Sequence, residues 1–159
     1  MQIVLRKISD ARHELDVVRK DGRRDRVECE TRSFLVHDLL HFAVESEAGL
    51  SGGFWGNLAK GKTLAELNDR AGEAMMAAES EEAALVERVV SVLTGAVKGR
   101  TAEELVTQLV SHAPATGWTP PGWLTAEFVE RVQERMRRLL GHWKATPYRG
   151  EMRLEWPDP

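Results

Sequence analysis

Apolar and polar positions alternate with period two at both ends of the chain and with a period near 3.6 through its middle, which reads as strands, then helices, then a strand. Ile3 and Leu5 alternate with Val4 and Arg6. A run from His13 to Lys20 meets another from Arg23 to Thr31 across Asp21-Gly22, a dipeptide that supplies the φ > 0 positions of a tight hairpin turn. Leu15, Val17, Val27 and Cys29 fall on one face of this hairpin, and the opposite face, with Asp16, Lys20, Glu28 and Glu30, is expected to be wet. After Gly150, Met152, Leu154 and Trp156 share one face while Arg153 and Glu155 share the other. A short terminal strand cannot bury itself, so it is expected to complete the N-terminal antiparallel sheet and bring the chain ends together.

Between these strands the helix starts are marked. Thr63 with Glu66 and Thr101 with Glu104 fit the reciprocal capping box, in which the side chains satisfy free first-turn amides. Residues 64 to 98 predict two helices or one bent one, with Ser80 as a second cap between Met75-Met76 and the stripe Leu85, Val86, Val89, Val90, Leu93. Gly95 and Gly99 then act as stops. The proline- and glycine-rich stretch from Ala113 to Leu124 predicts a loop pinned to the body by Trp118 and Trp123. Thr125 caps a helix through His142 that buries Phe128, Val132, Met136 and Leu139. The pattern predicts one α+β domain over residues 1–159: a two-layer fold in which four to five helices cover a four-stranded antiparallel sheet, three strands from the N-terminus and one from the C-terminus.

Composition acts mainly by exclusion. At 159 residues, 42% hydrophobic and 30% charged, the chain matches an ordinary globular domain. A net charge of −3 and pI near 6.0 provide no field for nucleic acid or anionic lipid. Apolar runs are far shorter than the roughly 20 residues that span a bilayer, and the first residues lack the apolar core of a secretory signal. The single cysteine, Cys29, forms no internal disulfide, which together with the rest predicts a cytoplasmic protein. The basic cluster Arg19, Lys20, Arg23, Arg24 and Arg26 is diluted by Asp21, Asp25 and Glu28, and reads as charge on an edge strand that discourages aggregation.

One helix carries the candidate chemistry. On a wheel at about 100° per residue, Phe34 to Ala48 places His37, Asp38, His41 and Glu45 in one narrow sector, with apolar residues around most of the rest. That sector faces either water or an internal cavity. Histidines four apart can chelate one cation, and Asp38, three before His41, can add a carboxylate. Glu45 lies roughly 12 Å from His37 along the axis at ~1.5 Å per residue, which suits water-mediated contact or an acceptor that orients His41. A further ligand from Glu47, His112 or His142 is left open. Mixed imidazole and carboxylate donors suit zinc first, and also manganese, iron or nickel. Aspartate in place of the glutamate of H-E-x-x-H argues against a metalloprotease.

The string His37-Asp38-Leu39-Leu40-His41 resembles the zinc motif of the ubiquinone-biosynthesis scaffold proteins, H-D-x-x-H followed by a distant glutamate. Gly53 stands where that glutamate would fall. The resemblance implies that His37, Asp38 and His41 form a metal-binding unit on one helix.

Two other readings compete. In one the histidines are surface groups of a non-catalytic interaction module, which could pair as a homo-oligomer through its helices or sheet edge. In the other, Gly56 to Thr63 fits the bare spacing G-x-x-x-x-G-K-[ST], with Lys62 and Thr63 as phosphate-binding candidates at a helix start. A phosphate loop should follow a buried strand, whereas this stretch follows a helix and a glycine turn. No serine shows a nucleophile-elbow context, and Cys29 reads as a small core residue.

Overall fold

A computed structural model describes residues 1–68, 81–94 and 99–157. Four strands, β1 (Gln2–Lys7), β2 (Arg12–Val18), β3 (Arg24–Glu30) and β4 (Glu151–Glu155), form one sheet in the order β3-β2-β1-β4. All neighbours are antiparallel. The C-terminal strand pairs with β1, and the N-terminal ammonium donates to the Trp156 carbonyl at 3.1 Å, so the chain ends meet as expected.

The hairpin register places Leu15 opposite Val27 and His13 opposite Cys29 on the inner face. Its turn differs from the expected one. Of Asp21 and Gly22 only Gly22 has positive φ (84°), and Arg19 N–H bonds Arg23 C=O across three residues. This suits a three-residue loop closed by glycine in the left-handed region rather than a two-residue turn. The outer face is not uniformly wet either: Asp16 is buried beneath the guanidinium groups of Arg24 and Arg26, which also hold its carboxyl below the ordinary range.

One face of this sheet carries the helices. A π-helical turn (Thr31–Leu35) leads from β3 into α1 (Val36–Ala48), followed by α2 (Phe54–Ala59), α3 (Leu64–Asn68), α4 (Glu81–Leu93), α5 (Ala102–Thr116) and α6 (Ala126–Ala145). The result is the expected two-layer α+β architecture. Helix α1 is central, with α2, α4 and α6 packed around it. Leu39, Leu40, Ala43 and Val44 are completely buried, and each of the larger three contributes about 1.5–3 kcal/mol through burial. The helix ends at Gly49, whose positive φ of 66° lets its N–H reach Glu45 C=O.

Both capping boxes form, Thr63 with Glu66 and Thr101 with Glu104. The expected loop from Ala113 is corrected by α5, which continues to Thr116 with Pro114 inside it. A proline in the last turn removes one ladder bond and leaves the turn otherwise intact; Gly117 then stops the helix at φ 69°. Trp118 and Trp123 are partly buried against the core, Trp123 beside Phe128 at 4.8 Å. The expected cap at Ser80, with Met75 and Met76, and the stop at Gly95 lie outside the described residues.

One member of the basic cluster turns inward. Arg19 is buried and donates to Leu58 C=O (2.9 Å), Asp25 (2.7 Å) and Lys62 C=O (2.5 Å), tying α2 and the segment after it to the sheet. Cys29 is also buried, which pushes its thiol up to about 11, as suits a core residue. Among the described residues no helix is long and apolar enough to cross a membrane.

Candidate metal centre

Three side chains from two helices converge. His37 and His41, one turn apart on α1, bring their rings to 4.6 Å between centroids. Glu87 of α4 approaches both, with Oε1 at 3.2 Å from His41 Nε2 and Oε2 at 3.9 Å from His37 Nε2. One donor atom from each lies within 4.8 Å of the others, a group that could hold a metal ion.

The polar sector of α1 is therefore mostly internal. His41, Asp38 and Glu45 are buried, and only His37 is exposed. The reason lies in what packs over them: α2 and the glycine turn before it cover Glu45, while α4 packs beside His41 and leaves His37 open. Glu45 accepts from His41 Nδ1 at 3.1 Å, from Gly56 N–H at 3.2 Å and from Trp55 N–H at 3.4 Å. A buried carboxylate is costly unless such donors surround it. Here the start of α2 supplies two of them.

Gly53 explains the glycine turn. A Cβ there would lie 2.3 Å from the Glu45 carboxyl carbon, so the space at this position is filled by Glu45 itself. Gly52 likewise faces Glu82, whose carboxylate accepts from Ser51 N–H at 3.0 Å. The glycines thus admit carboxylates from α1 and α4 against the backbone.

Each histidine has an acidic partner from its own helix on Nδ1 and Glu87 on Nε2. For His41 the Nδ1 partner is Glu45; for His37 it is Asp38, whose Oδ1 lies 3.7 Å away. Burial pulls the His41 pKa down, but the Nδ1 hydrogen bond to Glu45 and the charges of Glu45 and Glu87 outweigh it and raise it to about 9. Burial raises Glu87, and His41 and His37 more than reverse that, leaving it below the ordinary carboxylate range. The approach of Glu87 to His41 is nonetheless poorly aligned, and the buried Nε2 has no hydrogen-bond partner.

Of the residues singled out in sequence, His37 and His41 meet, Asp38 stands behind His37, and Glu45 behind His41. Glu47 is turned to Arg131 and Arg135 of α6, at 3.4 and 2.6 Å. Glu87 was not among the candidates, since only the packing of α4 brings it to α1. In the phosphate-loop stretch, Gly56 to Ala59 is helical, and the Glu66 carboxylate takes both the Thr63 N–H (2.7 Å) and hydroxyl (2.8 Å). No family model, curated protein or solved structure matches the chain.

Proposed function

We propose that this protein binds a divalent metal ion through His37 Nε2, His41 Nε2 and the Glu87 carboxylate. One observation carries the reading: the His41 Nε2 atom is buried without a hydrogen bond, in a group whose donor atoms lie within 4.8 Å of one another. Glu87 Oε1 at 3.2 Å attracts that nitrogen by charge without an aligned hydrogen bond, and a metal ion held by both would engage them directly. The arrangement behind the rings also fits. Ligating histidines usually present their second nitrogen to a carboxylate, which fixes the ring and strengthens the donor; Glu45 and Asp38 occupy those places. In this reading Asp38 supports His37 and Glu87 supplies the ligating carboxylate. Zinc is the first choice, with manganese, iron or nickel allowed by the same donors.

The competing role is structural. Without a metal, His41 between Glu45 and Glu87 is an ion-paired tie between α1, α2 and α4. Elemental analysis of tag-free protein after zinc loading and dialysis separates the two. We expect near-stoichiometric zinc in the wild type and its loss in His41→Ala and Glu87→Ala. Wild-type protein that emerges metal-free leaves the structural tie as the function of the group.

A further inference from the structure

Strand β3 closes one side of the sheet, and among the described residues no strand lies beyond it. Which of its backbone groups face that side follows from the hairpin ladder. In an antiparallel pair alternate residue pairs exchange both N–H···O=C bonds, and the residues between them turn theirs away. Arg19 N–H donates to Arg23 C=O and Thr31 N–H to Ala11 C=O, so the bonded positions of β3 are Asp25, Val27 and Cys29. Arg24, Arg26, Glu28 and Glu30 therefore aim N–H and C=O at the outer edge, and all four are exposed. Helix α3 reaches β3 from the inner face, where Leu64 N–H donates to the Asp25 carboxylate at 3.4 Å.

An edge strand is a template for another strand, and charge on it usually discourages pairing. Here the order of the charges admits one partner. The outward positions read plus, plus, minus, minus about Val27. A second copy related by a twofold axis at Val27 runs antiparallel, sets Arg24 against Glu30 and Arg26 against Glu28 of the other copy, and brings the two Val27 side chains together. Opposite charges directly across a ladder stabilise it and like charges oppose it. An axis at Arg26 or Glu28 sets that residue against itself; an axis at Asp25 or Cys29 sets Arg24 against Arg26 or Glu28 against Glu30. The other edge strand lacks this order. The outward residues of β4 are Glu151, Arg153 and Glu155, and a twofold at its centre sets Arg153 against itself and Glu151 against Glu155. The contacts already made within one copy leave room for the new ones. Asp16 holds Arg24 and Arg26, Arg12 holds Glu28, and Ser33 donates to Glu30, whereas a guanidinium has five donors and a carboxylate accepts about four bonds.

We propose that this protein forms a twofold homodimer in which the β3 edges of two copies pair antiparallel about Val27, joining both sheets into one with the helices of both copies on the same face. The metal reading plays no part in it.

Sedimentation velocity of tag-free protein in EDTA, so that no metal bridges histidines between molecules, is expected to show a species of twice 17.8 kDa that dissociates on dilution. Glu28→Pro removes an N–H that faces the edge and none that serves β2; it should keep the fold, checked by circular dichroism, and sediment as a monomer. Val27→Cys in a Cys29→Ala background should form a disulfide-linked dimer under mild oxidation, whereas Arg26→Cys in the same background, although more exposed, should not. Wild type that stays monomeric at its highest soluble concentration overturns the proposal, and so does a folded Glu28→Pro variant that remains dimeric. Should Glu28→Pro fail to fold, the cross-linking decides: Val27→Cys that links no better than Arg26→Cys overturns the pairing about Val27.

Discussion

Glu45 shows how one residue sets several others. Its carboxylate receives His41 Nδ1 and the amides of Trp55 and Gly56, and it takes the space that a side chain at position 53 would need. Gly53→Ala must therefore push Glu45 out of its cradle, at about 1–3 kcal/mol, the usual cost of forcing extra volume into a packed site. In a Glu45→Ala background the clash is gone, so the same substitution should cost much less. Urea unfolding of the two single variants and the double variant measures the coupling, expected above about 0.5 kcal/mol for residues in contact. Additive costs would show that Gly53 is needed for some other reason.

The central tie between elements is that of α1 to α4. The proposed ligands His37 and His41 both lie on α1, so Glu87 is what would make metal binding a link between two helices. Zinc at about a hundred times its dissociation constant should stabilise the fold by about 2.7 kcal/mol, or about 5–10 °C in Tm for a chain of this size. Thermal melts followed by circular dichroism should show this shift in the wild type and lose it in Glu87→Ala; an equal shift in the variant removes Glu87 from the ligand set. The same pair of helices marks where sequence patterns stop being informative. Period-two runs give the strands, the threonine–glutamate pairs give helix starts, and the wheel isolates His37, Asp38, His41 and Glu45, because each is a local constraint. The buried stripe Val86, Val89, Val90 and Leu93 identifies the inward face of α4. It carries no information on which helix that face meets, and Glu87, beside Val86 on the margin of the stripe, reads as a solvent residue until α1 is placed against it. Pro114 misleads for a related reason, since proline is judged as a helix breaker while its cost depends on how many turns follow it.

Among the described residues four buried groups with shifted pKa values, His13, His41, Cys29 and Asp16, divide the pH axis among them. His13, on the inner face of β2, is fully buried with its ring against Trp143 of α6 at 5.7 Å, and burial lowers its pKa despite the nearby charge of Asp38. The folded state therefore favours neutral His13, and its contribution is complete above the ordinary histidine value of 6.5 and is lost as pH falls below it. His41 has the opposite sign: held at about 9, it stabilises the metal-free fold fully below 6.5, and this is lost as pH rises from 6.5 to 9. Cys29, raised from 9.0 to about 11, favours the neutral thiol and acts only above that window. Asp16, lowered from 3.8, acts only near and below that pH. The windows barely overlap, so urea midpoints measured across pH in the presence of EDTA can be assigned by subtraction. Wild type minus His13→Phe should change as pH falls below 6.5, and wild type minus His41→Gln between about 6.5 and 9, each with a slope of at most about 1.4 kcal/mol per pH unit. Saturating zinc should flatten the second difference, because a metal-bound His41 holds no proton in the folded state. A His41 difference that is flat from 6.5 to 9 without zinc would mean that Glu45 and Glu87 do not hold a proton on the ring.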